Sequence, residues 1–391
     1  MLPSLRHLSL KTLNRELYRA EVACIGLRIE AKSVNIVRSK IADHILKIPR
    51  LPSVLEDPKN DSSKRLLLLK TDSLLNADFA HDSFPHTVTL DYDYWTADEI
   101  LSATLPEGMD ITTAFETVGH IAHMNLKPEH MPYKSLIGQV ILDKNPRIKS
   151  VVTKVGEIES EFRVFPMELI AGENDMIAEL KEENCIFRFD FSKVYWNSRL
   201  QQEHKRLVQK FKKGEHVCDV FAGIGPFSIP AAKKGCVVYA NDLNPESVKF
   251  LSENKSRNKI KSENLHIFNM DGREFITKSL AELNKSSLEF KTFDHYFMNL
   301  PALAVTFLDA FSNLNLPEEK ASFTIHCYLF VKNEDPIEVV KQNLKTDVLI
   351  DAEAHNVRSV APNKDMYCVS FKLPPSFYAS GSKRLKLDEN K

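Results

Sequence analysis

The sequence has few of the features that mark a metalloprotein or a membrane protein. It contains six cysteines in 391 residues, none of them in a C-x-x-C pair, and no Cys/His cluster has zinc spacing. We therefore expect no metal site, and we expect reduced, buried thiols of the kind found in intracellular proteins. No apolar run is long enough to span a bilayer, so we expect no membrane partner.

The chain also lacks a net charge of either sign. Lysine and arginine number 52 against 53 acidic residues, which gives a net charge of −1 and no global attraction to nucleic acid. An RNA partner would need local basic patches, and two short stretches are candidates for phosphate contacts. Their basic residues are Lys144, Arg147, Lys149 and Lys154 in the first, and Lys210, Lys212 and Lys213 in the second.

The first fifteen residues contain no acid. Arg6, Lys11 and Arg15 precede Glu16, and serine and leucine residues lie between them. This composition is compatible with a mitochondrial transit segment, and the alternative is an ordinary amphipathic first helix. We expect a cytoplasmic and nuclear protein, with the mitochondrial matrix as a further compartment.

The length and the changes in pattern along the chain favour several domains. We predict an N-terminal domain over residues 1–105, a middle α/β domain over 106–200, a larger domain over 201–375 and a disordered tail over 376–391. In the first domain, residues 66–69 and 88–90 are strand candidates, and Thr96 with Glu99 predicts a capped helix. In the middle domain, a helix from about Tyr133 should end at a turn at Asn145-Pro146, before a strand.

From about residue 201 onward, short apolar strands alternate with helices. The predicted strands are 217–221, 237–241, 265–270, 293–298, 323–330 and 366–372, and the predicted helices include 226–234, 245–255, one ending near 283 and one ending near 311. This alternation predicts an α/β fold with a doubly wound, mainly parallel sheet. The two preceding domains should be smaller and of α+β type.

A glycine-containing loop follows the first of these strands. The strand ends in Asp219, and the segment AGIGP, which includes Gly223 and Gly225, follows before a helix. Glycines here allow a ligand to approach the backbone closely. A dinucleotide site would need a third glycine where Ser228 stands, so a smaller cofactor with an amino acid and a nucleoside fits better.

The next two strands also end in carboxylates. Asp242 follows the second strand, about twenty residues after the loop, and can accept hydrogen bonds from both ribose hydroxyls. Asp271 follows the third strand and could reach an adenine amino group, although a lone aspartate there is often a helix N-cap. Because parallel strands end at the same edge, these groups should share one crevice.

The fourth strand ends in Asn299-Leu300-Pro301. An asparagine amide can donate and accept at once, which suits a base edge that carries both kinds of group. The alternative is a simple strand-to-helix turn with Asn299 as the N-cap.

Five motifs, in order, resemble one family. The segments NPRIKSVVTKVGEIESEFRVFPMELIAG, KVYWNSRLQQEHKRL, CDVFAGIGPFSIPAA, YANDLNPESVKFLSEN and MNLPALAVTFLDAF are similar to the tRNA (guanine-37-N1)-methyltransferases of eukaryotes and archaea, over roughly residues 110–372. The resemblance implies a Rossmann-like class I methyltransferase fold, S-adenosylmethionine as cofactor, and tRNA as partner through its anticodon stem-loop and its elbow. Nothing in the sequence indicates an obligate dimer, so we expect a monomer.

The resemblance also implies residue roles. Glu203 would remove the N1 proton of the guanine, Arg163 would contact its O6, and Asn299 with Pro301 would form the Asn-x-Pro element. His204 follows Glu203 where some relatives have arginine, so it has no assigned chemical role beyond a place near the cofactor. The residues implied near the cofactor are Tyr195, His204, Asp219, Phe221, Gly223, Gly225, Asp242, Leu243, Asp271, Gly272 and Asn299.

Guanine N1 carries a hydrogen, so methylation requires a base, and proton removal places negative charge on O6. A carboxylate and an arginine suit these two tasks. Without the resemblance, Glu203 would be read as a solvated helix acid beside Lys205 and Arg206, and Arg163 as a partner of Glu161 or Glu168. Two other functions stay open: an aminocarboxypropyl transferase of the wybutosine pathway, and a non-catalytic tRNA-binding protein.

Overall fold

A computed structural model describes residues 5, 10–72, 82–156, 162, 164–285, 287–314, 316–320, 322–375 and 377–378. The chain separates into two compact units. Unit 1 comprises Met1–Phe115, Ala122–Thr153 and Leu169–Asn174, and unit 2 comprises Glu116–Ile121, Lys154–Glu168 and Asp175–Lys391. The domain limits inferred from the sequence remain predictions, and most of the expected disordered tail lies outside the described residues.

Unit 1 contains two groups of strands and three described α-helices. The elements are β1 (Ala20–Glu30), α1 (Val34–Lys40), β2 (Val54–Glu56), β3 (Lys64–Leu69), β4 (Ser83–Leu90), α2 (Ala97–Thr104), β6 (Ile121–Met124), α3 (Lys134–Lys144), β7 (Ser150–Lys154) and β8 (Met167–Gly172). The first four strands form an antiparallel sheet in the order β2-β3-β1-β4, and β6, β7 and β8 are neighbours in that order.

Both faces of strand β3 in the first sheet are buried. Leu66 and Leu68 belong to the larger core, whereas Leu67 and Leu69 belong to a second cluster with Val37 of α1. Successive strand residues point to opposite faces, so a run of four leucines fits a strand that is covered on both sides. The predicted strand at 66–69 is thus confirmed within β3.

Local signals in unit 1 placed two helices correctly. The side chain of Thr96 accepts a hydrogen bond from the backbone of Glu99, and the Glu99 carboxylate accepts one from the backbone of Thr96, which is a complete capping box at α2. Helix α3 ends at Lys144, directly before Asn145-Pro146, and β7 follows as predicted. The eleven-residue strand β1 was not predicted.

Unit 2 contains the α/β fold. Its elements are β5 (Glu116–Val118), β9 (Ile177–Glu182), β10 (Cys185–Asp190), α4 (Gln201–Lys210), β11 (His216–Asp219), α5 (Ser228–Lys234), β12 (Val237–Asn241), α6 (Pro245–Arg257), β13 (Leu265–Phe268), α7 (Gly272–Asn284), β14 (His295–Met298), β15 (Thr324–Val331), α8 (Pro336–Leu344), β16 (Ile350–Ala361) and β17 (Lys364–Lys372). Strands β9 and β10 form an antiparallel pair.

A seven-stranded sheet forms the centre of unit 2. Its order is β13-β12-β11-β14-β15-β17-β16. The first five strands are parallel, and β17 and β16 are added antiparallel at one side. The order reverses between β11 and β14, which is the position at which open α/β sheets bind ligands. The predicted doubly wound, mainly parallel sheet is confirmed.

Several predicted boundaries were wrong. Strand β11 ends at Asp219, two residues before the predicted end, and α5 begins at Ser228, so Pro226 lies in the preceding turn and not in the helix. The predicted helix after β14 is a 3-10 helix, Ala304–Asn313, in which, for example, the N–H of Thr306 donates to the carbonyl of Leu303.

Elements of unit 2 that were missed include helix α8 and strands β9 and β16. Helix α8 begins with Asp335 as N-cap and Pro336 in its first turn, a signal that was readable in the sequence. Strand β16 lies at the sheet edge and is largely exposed, so its residues do not alternate between apolar and polar.

All six cysteines are buried free thiols, as predicted. Within the described ranges, no helix has the length and apolar character needed to cross a bilayer.

Candidate active site

The ends of four parallel strands lie in register at one edge of the unit 2 sheet. Asp219 pairs with Ala240 and with Phe297, and Asn241 pairs with Phe268. The polar residues that follow these strands therefore come together at the carboxyl edge, as predicted from the sequence. They are Asp242, Asp271 and Asn299, together with the loop from Val220 to Gly225.

Asp219 is fully buried at this edge. Its Oδ2 accepts a hydrogen bond of 2.5 Å from the hydroxyl of Ser228, and its Oδ1 has no hydrogen-bond partner among the described residues. Burial raises the pKa of the carboxyl well above its ordinary value, and the Ser228 hydroxyl opposes this shift. A buried carboxyl with a free oxygen is suited to a cationic ligand such as an ammonium group.

The two glycines of the loop have different tasks. Gly223 has a φ of +53°, and a Cβ built on it would meet no atom within 4 Å, so the loop leaves open space beside it. Gly225 has a φ of +95°, and a Cβ there would lie 2.5 Å from Leu251 Cδ1. Gly225 thus permits close packing with α6, whereas Gly223 leaves room for a ligand.

Asp242 links the loop to the second strand. Its Oδ2 accepts the backbone N–H of Gly223 at 2.8 Å, and its Oδ1 accepts that of Asn244 at 2.9 Å. Burial raises the pKa of this carboxyl. The Ser247 hydroxyl also bonds to this carboxylate, and the lone pair that remains can accept a hydrogen bond from a ribose hydroxyl.

The end of the third strand, β13, is followed by the N-cap residue of helix α7 and by apolar residues that line the same edge of the sheet. Asp271 is the N-cap of α7, with Oδ1 accepting from the N–H of Arg273 at 2.8 Å, as the alternative interpretation of this residue predicted. Gly272 is buried, and a Cβ on it would lie 2.8 Å from Phe221. Leu243 is exposed at the neighbouring strand end, where an apolar surface can contact a flat ring.

Asn299 follows β14 directly and is half-buried. Its Oδ1 is buried and has no hydrogen-bond partner among the described residues. The carbonyl of Pro301 accepts the N–H of Phe330 at 3.1 Å, which ties this turn to β15. A buried amide oxygen without a partner can accept a hydrogen bond from a donor group of a ligand.

Glu203 lies on α4 and is only 5% exposed. Arg206 holds it with two hydrogen bonds of 2.6 Å, and the hydroxyl of Tyr328 donates to Oε1, also at 2.6 Å. Tyr328 stands on β15 one residue beyond the Met298↔Cys327 pair, directly opposite Asn299. The Tyr328 contact thus ties Glu203 to β15 beside the end of β14, and a common site formed by Glu203 and Asn299 stays a prediction.

The structure gives His204 a different setting. Its Nδ1 lies 2.5 Å from Glu182 Oε1, both side chains are buried, and its ring packs against Phe227 and Trp196. Tyr195 is half-exposed, and its hydroxyl accepts a hydrogen bond from the Asn197 amide. Arg163 lies outside the described residues, so its predicted role has no structural description.

Sequence reasoning missed Asn241, which is buried at the centre of the edge. Its amide nitrogen donates to the carbonyls of Val220 and Met270, and its Oδ1 accepts the N–H of Met270. One side chain thereby joins the loops after three strands. The position of Asn241, immediately before Asp242, was the signal that the sequence offered for it. Tyr328, which also holds Glu203, carried no sequence signal, whereas Arg206 stands three residues after Glu203 on the same helix.

The role of the two basic stretches in phosphate contacts stays a prediction. Lys212 and Lys213 precede β11 and so lie at the amino edge of the sheet, opposite the carboxylates. Lys144 in unit 1 donates to the carbonyl of Tyr92 and lies 4.1 Å from the centre of its ring, and burial lowers its pKa. Within the described residues no cluster of potential ligands could hold a metal ion.

The sheet order, the glycine loop and the polar groups at successive strand ends define a class I methyltransferase. The tRNA (guanine(37)-N1)-methyltransferase of Xenopus tropicalis is 46% identical to the chain, covering 93% of it and 78% of that protein, and the one of Homo sapiens is 40% identical, covering 93% and 76%. The chain belongs to the tRNA (guanine(37)-N1)-methyltransferase family.

Family models and solved structures agree with this assignment. Residues 178–350 match the TRM5/TYW2 methyltransferase domain, and residues 97–175 match the TYW2 N-terminal domain. A crystal structure of Trm5b from Pyrococcus abyssi is similar with a TM-score of 0.59 and 25% identity, covering 90% of this chain and 99% of that one. A structure of aTrm5 in complex with tRNALeu has a TM-score of 0.66 at 23% identity, covering 90% and 100%, and supports the fold.

Proposed function

We propose that this protein transfers the methyl group of S-adenosylmethionine to N1 of guanosine 37 in the anticodon loop of tRNA. Family membership at 40% identity and above, over more than nine tenths of the chain, carries this proposal. The hydrogen bond that ties Glu203 to β15, the neighbour of the strand that leads into Asn299, supports it.

The residues at the edge fit the cofactor. The free, buried Oδ1 of Asp219 suits the ammonium group of the cofactor's amino-acid part. The open space beside Gly223 would let the cofactor lie close to the loop backbone. Asp242 would accept a hydrogen bond from the ribose, while Leu243 and Asp271 would contact the adenine. When bound, S-adenosylmethionine supplies an activated methyl group.

The chain's own residues then have to position the base and remove a proton. Asn299 would hold the edge of guanine with its unpaired Oδ1. Glu203 would take the N1 proton, and Arg206 and Tyr328 fix the carboxylate in one orientation for this task. By resemblance, Arg163 would stabilise the charge on O6. Anticodon loops allow a base to leave its stack at low cost.

Methylation of a G37 transcript beside the same transcript with another base at position 37 tests this function. We expect one methyl group on N1 of G37, located by mass mapping, and no product with the other base. A heavier product would favour aminocarboxypropyl transfer. Absence of S-adenosylmethionine binding in calorimetry would favour a non-catalytic tRNA-binding protein.

The finer assignments are also proposals. We infer that the protein acts as a monomer, that its N-terminal region contacts the tRNA elbow, and that its product maintains reading frame and begins wybutosine synthesis on phenylalanine tRNA. The basic residues before Glu16 support a mitochondrial fraction beside a cytoplasmic and nuclear one. Imaging of tagged full-length protein tests the compartments, and sedimentation tests the oligomeric state.

A further inference from the structure

The oxygens of Glu203 are almost fully occupied by donors. Oε1 accepts from Nη2 of Arg206 and from the hydroxyl of Tyr328, and Oε2 accepts from Nε of Arg206. Because each carboxylate oxygen has two lone pairs, one position on Oε2 remains. A proton from a substrate therefore has to arrive at Oε2.

A second group also approaches Oε2. Nε2 of His355 lies 3.6 Å from it, and this histidine stands on the edge strand β16, opposite Cys368 of β17. The His355 side chain is 41% exposed, whereas that of Glu203 is 5% exposed. His355 thus connects the buried carboxylate to solvent.

Glu203 should not keep the proton after methyl transfer. A proton on Oε2 would weaken its charge-assisted hydrogen bonds with Arg206 and Tyr328, and burial denies bulk water direct access to the carboxyl. Every turnover must nevertheless return Glu203 to its ionised form. An imidazole, which in general exchanges protons near neutral pH, is suited to this step.

We propose that His355 receives the proton of guanine N1 through Glu203 and releases it to solvent. This inference rests on the proposed function. The N1–H bond breaks as the proton moves to Oε2, and the N1 electron pair forms the bond to the methyl carbon while the sulfur leaves with the pair of the broken bond. Once the methylated base has left, His355 closes the 3.6 Å gap and takes the proton from Oε2 at Nε2, and the imidazolium so formed gives one proton to water.

The elements packed around His355 carry several other charged or titratable groups. Helix α4 contributes Glu203, Arg206 and Lys210, β15 contributes Tyr328, β17 contributes Cys368, α8 contributes the Glu338–Lys341 pair, and β16 itself contributes Glu353. Of these, Lys210 and Glu353 pair with each other at 3.2 Å. Glu203 is the charged group that lies 3.6 Å from Nε2 of His355.

Substitution His355→Ala tests the relay in the full-length protein with a G37 transcript. We expect the multiple-turnover methyl-transfer rate to fall about 10²-fold, the lower end of what general acid–base groups contribute, because the relay re-ionises Glu203 between turnovers. Added imidazole should restore it, with larger rescue as pH rises through the range in which free imidazole loses its proton. The exposed position allows both the substitution and the entry of imidazole. Affinities for S-adenosylmethionine and tRNA should stay unchanged.

A matched control lies two residues away on the same strand. Glu353→Gln removes an exposed charge from β16 and should leave the rate and its pH profile as in the wild type. His355→Gln keeps a polar side chain but cannot carry a proton, so it should be as slow as His355→Ala.

Two outcomes would overturn the relay. One is a His355→Gln protein with the wild-type rate and pH profile. The other is a slow His355→Ala protein that binds both ligands normally and that imidazole does not rescue at any pH. In both cases an active wild type leaves the proposed function intact. An inactive wild type on G37 would instead refute the proposed function itself.

Discussion

The phenol hydroxyl of Tyr328 donates a 2.6 Å hydrogen bond to Oε1 of Glu203, across 125 residues of sequence. This contact fixes helix α4 to the central strand β15, and it places the proposed base beside the strand end that carries Asn299. Since burial raises the pKa of Tyr328 far above its ordinary value, the phenol stays protonated and remains a donor.

Glu203→Gln should reduce the methyl-transfer rate by about 10²- to 10⁴-fold, because the amide cannot accept the N1 proton. Binding of S-adenosylmethionine should be unaffected, since Glu203 is not among the residues proposed to hold it. Single-turnover kinetics and calorimetry measure the two quantities. Undiminished turnover would exclude Glu203 as the base. Gln202→Ala, an exposed neighbour on the same helix, is the control.

Gly223→Ala should mainly weaken cofactor binding, whereas Gly225→Ala should mainly lower stability. Both place a side chain at a positive φ, which costs about 1 kcal/mol. At Gly223 the methyl group meets open space, so the protein should fold but bind S-adenosylmethionine more weakly. At Gly225 it collides with Leu251, so thermal stability should fall further. Unimpaired cofactor affinity in Gly223→Ala would remove Gly223 from the site.

Asn241→Leu should lower the free energy of unfolding by about 3 kcal/mol or more, because it leaves two carbonyls and one N–H buried without partners. Urea unfolding measures this loss. The loops after β11 and β13 should also lose their alignment, which weakens cofactor binding. A loss below 1 kcal/mol would mean that water replaces the amide. Asn343→Leu, on the exposed part of α8, provides a control.

Stability should fall as the solution becomes acidic. His326 is buried with its Nε2 3.1 Å from His295 Nδ1 and its Nδ1 2.8 Å from the Ser370 hydroxyl. Burial lowers the pKa of His326 well below its ordinary value, and burial also lowers that of His295. The unfolded chain therefore binds more protons than the folded protein below about pH 6.5, where the histidine contribution to stability is lost.

The variant His326→Gln measures the contribution of His326 to this pH dependence of stability. Between pH 6.5 and pH 5.5, the free energy of unfolding of the wild type should decline more steeply than that of the variant, by up to about 1.4 kcal/mol per pH unit. Urea unfolding at both pH values gives the two slopes. Equal slopes would show that His326 is protonated in the folded state.

The local sequence was sufficient for much of the fold. The alternation of strands and helices after residue 201 predicted the parallel sheet, and Thr96 with Glu99 predicted the start of α2, because a capping box involves only residues three apart. The positions of Asp219, Asp242 and Asp271 at successive strand ends also followed from the pattern. Edge strand β16 could not be predicted, because an exposed strand needs no alternation of apolar residues.

The sequence by itself determined the class of fold and which polar residues stand at the carboxyl ends of its strands, because both depend on short-range periodicity. Only the tertiary structure decided which groups surround Glu203. Arg206 is close in sequence, but Tyr328 and His355 come from strands that pair far along the chain. Sheet order sets such contacts, and it arises from packing of the whole sheet, which no local pattern encodes.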